Sequence, residues 1–228
     1  MPKRRLILGI LALGLVAALV LAFTRPREPS YQDRSLSSWL EDIDSSWAEP
    51  REKAVEAVTH IGTNELQYLI ESIRYEPPPW REQVIDLKFR RSRLLSGLIP
   101  ADWREFQAIR AMKTLQFLGP KAKKAIPELD HLMIDPRRES SATRAALVLP
   151  FLGVDAIPPL KLSLTNQNAR PSVRAAAVGQ IYVLGTNAIE LVPALLSSLS
   201  DTNRYLRSAT SNALRKIAPQ ALTNAPAT

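Results

Sequence analysis

The side chains that most often carry out catalysis are scarce in this sequence of 228 residues. It has no cysteine and two histidines, His60 and His131, and neither histidine stands in a recognisable catalytic or metal-binding motif. The HExxH, GxSxG, Walker A and glycine-rich dinucleotide patterns are all missing. Glu41, Asp42 and Asp44 lie close together, but without the spacing of a calcium loop they fit a solvated acidic helix end. We therefore predict no catalytic residues, no metal and no cofactor, with both histidines as partly exposed helix residues.

Two basic clusters in the middle of the chain are the best candidates for binding an anionic partner. The net charge is +8, and residues 77–124 contain 11 basic and 4 acidic side chains, whereas residues 29–76 contain 4 and 10. A dedicated DNA-binding protein is usually more uniformly basic, so we expect lipid headgroups or an acidic protein and not nucleic acid. The candidate partner-binding residues are Lys88, Arg90, Arg91, Arg93, Lys121, Lys123 and Lys124.

The N-terminus has the composition of a membrane anchor. Leu6–Phe23 is an unbroken apolar run, and as a helix of about 27 Å it would be close to the thickness of the hydrocarbon core. Three basic residues precede it, so the N-terminus is expected in the cytoplasm and the remainder on the outer side. The small residues near positions 20–22 also suit a cleavable signal peptide, which would give a secreted protein. Residues 1–24 are therefore a signal anchor or signal peptide, and residues 25–34 a linker.

The rest of the chain repeats a pattern of helix, tight turn and helix. Gly62, Gly119, Gly153 and Gly185 each close a helix-like segment, and apolar side chains precede the glycine at helical spacing. A short loop follows, and in three copies the next apolar segment opens with a proline: Pro127, Pro158 and Pro193. Glycine supplies the left-handed turn that ends the first helix, and proline is tolerated in the first turn of the second.

Residues between the hairpins carry helix-start signals. Asp135 and Asn203 are the expected N-caps of the helices that follow them.

The tryptophans are concentrated in the first half of the chain. Their large rings are expected to cover the open end of the helical stack, with base stacking as the alternative. These tryptophans are Trp39, Trp47, Trp80 and Trp103.

The repeated segments resemble HEAT repeats, specifically the short bacterial kind grouped with phycobilisome-lyase-like repeats. In that pattern "vR..A...L..IG" is followed by "aiP.Ll..L.D", and Arg51, Arg174 and Arg207 each lie eleven residues before the closing position, as its arginine does. The resemblance covers the chain from residue 35 to about 219. The opening "YQDRSLSSWLEDI" is similar to a membrane-anchored group of bacterial HEAT proteins whose functions are mostly unassigned.

This resemblance implies an all-α fold, a right-handed α-solenoid of HEAT-type hairpins over residues 35–220, preceded by one N-terminal transmembrane or signal helix. Residues 221–228 are expected to be a disordered tail. The repeated arginines are expected to be structural, pairing with a carboxylate or carbonyl of the neighbouring repeat. Ala108 and Ala142 occupy the arginine position in two copies, and the pattern lapses in an irregular insertion at about residues 76–100.

A solenoid leaves a long concave surface, which suits recognition of a protein or peptide. We therefore predict a membrane-tethered interaction scaffold that contacts its partner through the inner helices and the segment from about Trp80 to Lys124. The resemblance to phycobilisome-lyase repeats implies an alternative, a lyase-type or lyase-accessory protein. A second alternative is a nucleic-acid-binding protein, because HEAT-like DNA glycosylases exist.

Overall fold

The computed structural model describes residues 27–43, 48–81, 102–166 and 168–223, and most of these residues are helical. Two short strands, β1 (Ser30–Tyr31) and β2 (Arg34–Ser35), come first. The helices are α1 (Leu36–Ile43), α2 (Ala48–Asn64), α3 (Leu66–Ile73), α4 (Trp103–Leu118), α5 (Ile126–Ile134), α6 (Glu139–Val148), α7 (Ile157–Thr165), α8 (Pro171–Gln180), α9 (Val192–Ser198), α10 (Arg204–Ile217) and α11 (Pro219–Thr223).

In the described ranges, the helices from α2 onward form five hairpins: α2–α3, α4–α5, α6–α7, α8–α9 and α10–α11. The first helices of successive hairpins pack against one another, and each second helix also packs against the first helix of the next hairpin. This arrangement is an α-solenoid, which confirms the predicted fold class. A single apolar cluster runs through all five hairpins, so each hairpin buries its apolar face on its neighbours.

Small residues allow the first helices to approach closely. Ala54 and Ala57 of α2, Ala108 of α4 and Ala145 of α6 are fully buried, and leucines such as Leu115 fill the space between the layers. Each fully buried leucine contributes about 1.5–3 kcal/mol from burial, so most of the stability comes from this repeated interface.

Three of the four expected glycine turns are present. Gly119, Gly153 and Gly185 have φ of 55, 90 and 58°, with ψ of −134, −160 and −132°. This part of backbone space is populated almost only by glycine, so the chain turns at these three residues as predicted. Gly119 directly follows α4, whereas a 3-10 segment separates Gly153 from the end of α6 and Gly185 from the end of α8. The second helices open with proline in their first turn at Pro127, Pro158 and Pro193, also as predicted.

Gly62 differs from the expectation, because it does not end a helix. Helix α2 continues through it to Asn64, and its backbone is helical. A Cβ atom at Gly62 would lie 2.5 Å from Leu118 Cδ1. An added Cβ would therefore require the Leu118 side chain to move, so glycine leaves room for the close packing of α2 against α4.

Part of the predicted linker belongs to the folded domain. Residues 30–35 form an antiparallel hairpin whose turn residues, Gln32 and Asp33, have φ of 49 and 60°, as a tight type I′ hairpin requires. The Trp39 indole Nε1 donates to the Tyr31 carbonyl at 3.0 Å, and the Arg34 guanidinium lies 3.9 Å from the Trp39 ring centroid. Trp39 is buried at the first end of the stack, as predicted. Trp80 is 54% exposed and Trp103 opens α4, so these two rings do not have the predicted role, and Trp47 lies outside the described residues.

The two predicted N-caps have different outcomes. Asn203 caps α10, since its Oδ1 accepts from the Leu206 amide at 3.1 Å. Asp135 does not cap α6, because three residues separate it from the first residue of that helix. Its carboxylate instead accepts from the Arg137 amide in the loop, at 2.9 Å.

The predicted anchor, residues 6–23, lies outside the described residues. Within the described ranges, the helical stretch Pro171–Ser198 is long and apolar enough to cross a membrane by length and composition. Its backbone leaves helical geometry at Gly185, and its two halves form the fourth hairpin of the solenoid. At the other end of the chain, α11 includes residues 221–223 of the predicted tail.

Candidate partner-binding groove

A cavity of about 350 Å³ opens between α3 and α4, where the repeat pattern lapses in the sequence. Helix α3 turns Leu69, Ile70 and Ile73 into the core, which leaves its other face to line the cavity. We call this cavity the aromatic groove, after its three rings. It is lined by Tyr68, Glu71, Ser72, Arg74, Tyr75, Trp103, Arg104 and Gln107.

Two of the rings flank an exposed arginine. The Arg104 guanidinium carbon lies 5.9 Å from the Tyr75 ring centroid and 5.4 Å from that of Trp103. Trp103 and Arg104 open helix α4, and the Asp102 carboxylate caps this helix by accepting from the Arg104 amide at 3.1 Å. The first turn of α4 therefore fixes the direction in which both side chains leave the backbone.

The two tyrosine hydroxyls of the groove are hydrogen-bonded to protein groups. Tyr75 Oη donates to Asp102 Oδ2 at 2.7 Å, and Tyr68 Oη accepts from Gln107 Nε2 at 3.1 Å. Burial, followed by the hydrogen bond to Asp102, raises the pKa of Tyr75 to about 12, and burial also raises the pKa of Tyr68. Both phenols are therefore protonated and neutral near pH 7, which suits hydrogen bonding and not proton abstraction.

The carboxylates of the groove are paired with cations or hydroxyls. Glu71 lies 2.8 Å from Arg74, which also pairs with Glu128 of α5. Asp102 accepts from Tyr75 and lies 3.5 Å from the Arg81 Nε atom. These contacts engage each carboxylate with a cation or a hydroxyl, although Arg74 is shared between Glu71 and Glu128.

The binding surface extends over the second helices. A neighbouring cavity of about 330 Å³ shares Glu71 and Arg74 with the aromatic groove and continues past His131 of α5 to Arg138. The two cavities together are lined by residues of α3 and α5, the second helices of the first two hairpins. No group of three or more potential metal-ligating side chains occurs in the part of the chain that the structure describes.

A buried arginine from the third hairpin holds the wall of the groove in place. Arg144 Nη1 donates to the carbonyls of Ile73 and Tyr75, both at 2.7 Å, and Arg144 Nη2 lies 3.0 Å from Glu105 Oε2. These contacts satisfy the carbonyls where α3 ends, as charged donors commonly do at helix C-termini. Sequence reasoning missed Arg144, and the only available signal was an arginine inside an otherwise small and apolar segment.

The short segment that follows α3 makes a second set of hydrogen bonds with α6. The Glu76 carboxylate accepts from the backbone amides of Ser140 and Ser141, at 3.1 and 2.6 Å. Glu76 thus takes the capping role that Asp135 was expected to have. Residues 73–76, which we call the clamped segment, are fixed to α6 by four hydrogen bonds, although α6 belongs to the third hairpin and not to the second.

Of the predicted basic residues, the three described ones do not line the aromatic groove. Lys121, Lys123 and Lys124 are exposed on the 3-10 turn after Gly119, and Lys123 pairs with Asp155 of the next turn at 3.1 Å. This turn lies at the edge of the solenoid where the glycine turns stack. The other predicted partner-binding residues, Lys88, Arg90, Arg91 and Arg93, lie outside the described residues, and their role stays a prediction.

The three arginines of the repeat pattern have different surroundings. Arg174 is buried and its Nη1 lies 3.0 Å from Asp201 Oδ2, a pairing of the kind that the resemblance implies. Arg207 donates to the carbonyls of Asp201 and Thr202, in the loop before its own helix, at 2.7 and 2.9 Å. Arg51 is exposed, so its position in the first repeat does not give it a buried structural role.

Both histidines are exposed helix residues, as predicted. His60 lies in α2 with its ring centroid 4.5 Å from that of Tyr31, and His131 lies in the last turn of α5.

The hairpins, their glycine turns and their buried arginines define a HEAT-like helical fold. No protein-family profile matches the sequence, and no curated protein matches it either. Among solved structures, the complex of CpcE and CpcF of phycocyanin lyase from Nostoc sp. PCC7120 is similar to the chain. The two share 18% sequence identity with a TM-score of 0.41, over 87% of this chain and 70% of that one.

Proposed function

We propose that this protein is a membrane-tethered interaction scaffold, without catalytic activity, that binds a protein or peptide partner in the aromatic groove. The observation that carries the proposal is the placement of Tyr75, Trp103 and Arg104 around one open cavity on a rigid helical scaffold. Tyrosine, tryptophan and arginine are the residues most enriched at the energetic centres of protein interfaces.

The pairing of the groove's titratable groups supports binding over catalysis. A general base needs a free carboxylate, imidazole or amine with a pKa near the working pH. Glu71 is paired with Arg74, Asp102 accepts from Tyr75, and the pKa of Tyr75 is about 12. Such groups orient a bound chain by hydrogen bonding, and among the described residues that line the groove none is suited to proton transfer at neutral pH.

The membrane tether is part of the same proposal and is supported by sequence. Leu6–Phe23 is followed by only six residues before β1 begins at Ser30. A chain of that length spans at most about 20 Å. An anchored protein would therefore hold its first hairpins close to the outer membrane surface, where they would meet membrane-associated or exported partners.

Site-specific photocrosslinking tests the proposed binding surface. A benzophenone amino acid is placed at Glu71, which lines both cavities, and separately at Ser208, an exposed residue of α10. The full chain is irradiated in native membranes, and the products are identified by mass spectrometry. We expect a discrete adduct from position 71 and none from position 208. Equal adducts at both positions, or none at 71, would contradict the proposal.

The same samples test the anchor and the alternatives. Peptides covering residues 1–23 in the digest would show that the anchor is retained, and their loss would indicate cleavage. A lyase-type function, the alternative implied by the repeat resemblance, predicts a mass or absorbance change when the chain is incubated with a bilin. A nucleic-acid function predicts DNA binding that falls steeply with salt.

A further inference from the structure

Arg104 is the cation of the aromatic groove whose charge the described residues leave uncompensated. Arg74 is paired with Glu71 and Glu128, whereas the Arg104 guanidinium contacts the rings of Tyr75 and Trp103. Contact with ring faces leaves the guanidinium N–H groups at the edge of the plane available. A guanidinium carries five donors in a rigid fork that matches the two oxygens of a carboxylate.

The surroundings of Arg104 make its donors well oriented. Its backbone amide is held by Asp102 Oδ1 at 3.1 Å, and its guanidinium is confined beside two rings. Because the side chain is partly ordered before binding, less conformational entropy is lost when an anion is bound. The cation–π contacts do not neutralise the guanidinium charge, and they leave its N–H groups available to donate hydrogen bonds to a ligand.

The ion pairs around the groove leave Arg104 available to an acidic ligand. The carboxylates of Glu71 and Asp102 are engaged by Arg74, Tyr75 and Arg81, and neither forms an ion pair with Arg104. In the described part of the chain, Arg104 forms no ion pair, and its guanidinium contacts only the two rings. Its charge is therefore complementary to a carboxylate of an acidic segment.

We infer that the aromatic groove recognises an acidic peptide, with a carboxylate bound by Arg104 and an adjacent apolar side chain packed on Tyr75 and Trp103. This inference rests on the proposed function. A phosphate dianion is usually bound by several arginines together, whereas one stacked arginine matches the single charge of a carboxylate. We therefore assign the groove to an Asp- or Glu-containing segment of a protein partner.

Selection from a displayed library of random nine-residue peptides on the full-length chain in detergent tests the inference. We expect enrichment of peptides with Asp or Glu beside an apolar residue. The best peptide, made synthetically, should bind about tenfold or more weakly to the Arg104→Ala chain, because a hydrogen bond to a charged group is lost. The same loss is expected when its Asp and Glu are changed to Asn and Gln.

Matched variants separate this inference from the proposed function. Arg215→Ala, on the exposed face of α10, should leave binding unchanged, and Arg104→Lys should restore part of the affinity lost in Arg104→Ala. Enrichment of neutral peptides that still require Trp103 would overturn the acidic assignment and leave the groove as the binding surface. Displacement of the peptide by excess inorganic phosphate would overturn the choice of a carboxylate. Absence of any peptide that depends on Trp103 or Arg104 would overturn both proposals.

Discussion

The carboxylate of Glu76 caps a helix that begins more than sixty residues later, accepting from the amide of Ser141 at 2.6 Å. Replacing Glu76 with Ala removes this cap and the favourable charge at the helix N-terminus. We expect the free energy of unfolding of the full-length chain in detergent to fall by about 1–2 kcal/mol, measured by urea titration. Glu52→Ala, at an exposed position of α2, is the matched control and should change it by less than about 0.5 kcal/mol. Equal effects of the two substitutions would contradict the capping role.

The buried pair of Arg174 and Asp201 predicts a non-additive response to mutation. Their side chains are 3% and 6% exposed, so removal of one partner leaves the other charge buried without compensation. We expect Arg174→Met to lower the free energy of unfolding by about 3–5 kcal/mol. The double variant with Asp201→Asn should recover part of that loss, which a double-mutant cycle in urea measures. Strictly additive losses would show that the two groups do not interact.

The close contact at Gly62 predicts opposite outcomes for two helical glycines. Gly179 in α8 has nothing within 4 Å of an added Cβ, so Gly179→Ala should stabilise the protein by about 0.5–1 kcal/mol through helix propensity. Gly62→Ala gains the same propensity but forces Leu118 to move, since the added atom would lie 2.5 Å from it. We expect thermal unfolding to show a higher midpoint for Gly179→Ala and no gain for Gly62→Ala. A higher midpoint of thermal unfolding for Gly62→Ala would contradict this prediction, because it would mean that α4 adjusts freely to the added Cβ atom.

The raised pKa of Tyr75 predicts an alkaline loss of stability. The folded protein holds this phenol proton more tightly than the unfolded chain, since the pKa rises from 10.0 to about 12. The stabilisation is therefore complete below pH 10 and is lost as the pH rises toward 12. Tyrosinate absorbance should show a late-titrating component that decreases in Tyr75→Phe, and the part that remains belongs to Tyr68, whose pKa is also raised by burial. The control Tyr205→Phe, at an 80% exposed residue, should keep that component, and its loss there would contradict the assignment.

The hairpin architecture could be predicted because its signals are local. Glycine at positive φ and proline in the first helical turn act within a few residues, so their spacing indicated where three of the hairpins turn. Gly62 shows the limit of this reasoning. A glycine near the end of an apolar segment looks the same whether it breaks the helix or makes room for Leu118, and only the tertiary packing distinguishes the two cases.

The groove could not be predicted because its parts come from distant segments. Tyr75 and Trp103 lie on opposite sides of the insertion, and nothing in the sequence indicated that Tyr75 and Asp102 would be hydrogen-bonded.

The arginine pattern was also misleading in the third hairpin. Ala142 occupies the family position, while Arg144, two residues later, makes the buried contacts with Ile73 and Tyr75. A shift of two residues moves a side chain to another helix face, which a repeat alignment cannot reveal.

The clamped segment also restricts how this array can be shortened or extended. In most repeat proteins, units contact only their nearest neighbours, so single units can be excised or duplicated and the ends rejoined. Here the exit of α3 is fastened directly to α6 through Arg144 and Glu76. Excision of α4–α5 would remove the unit that sets the distance between these partners, so the first three hairpins must be inherited and engineered together.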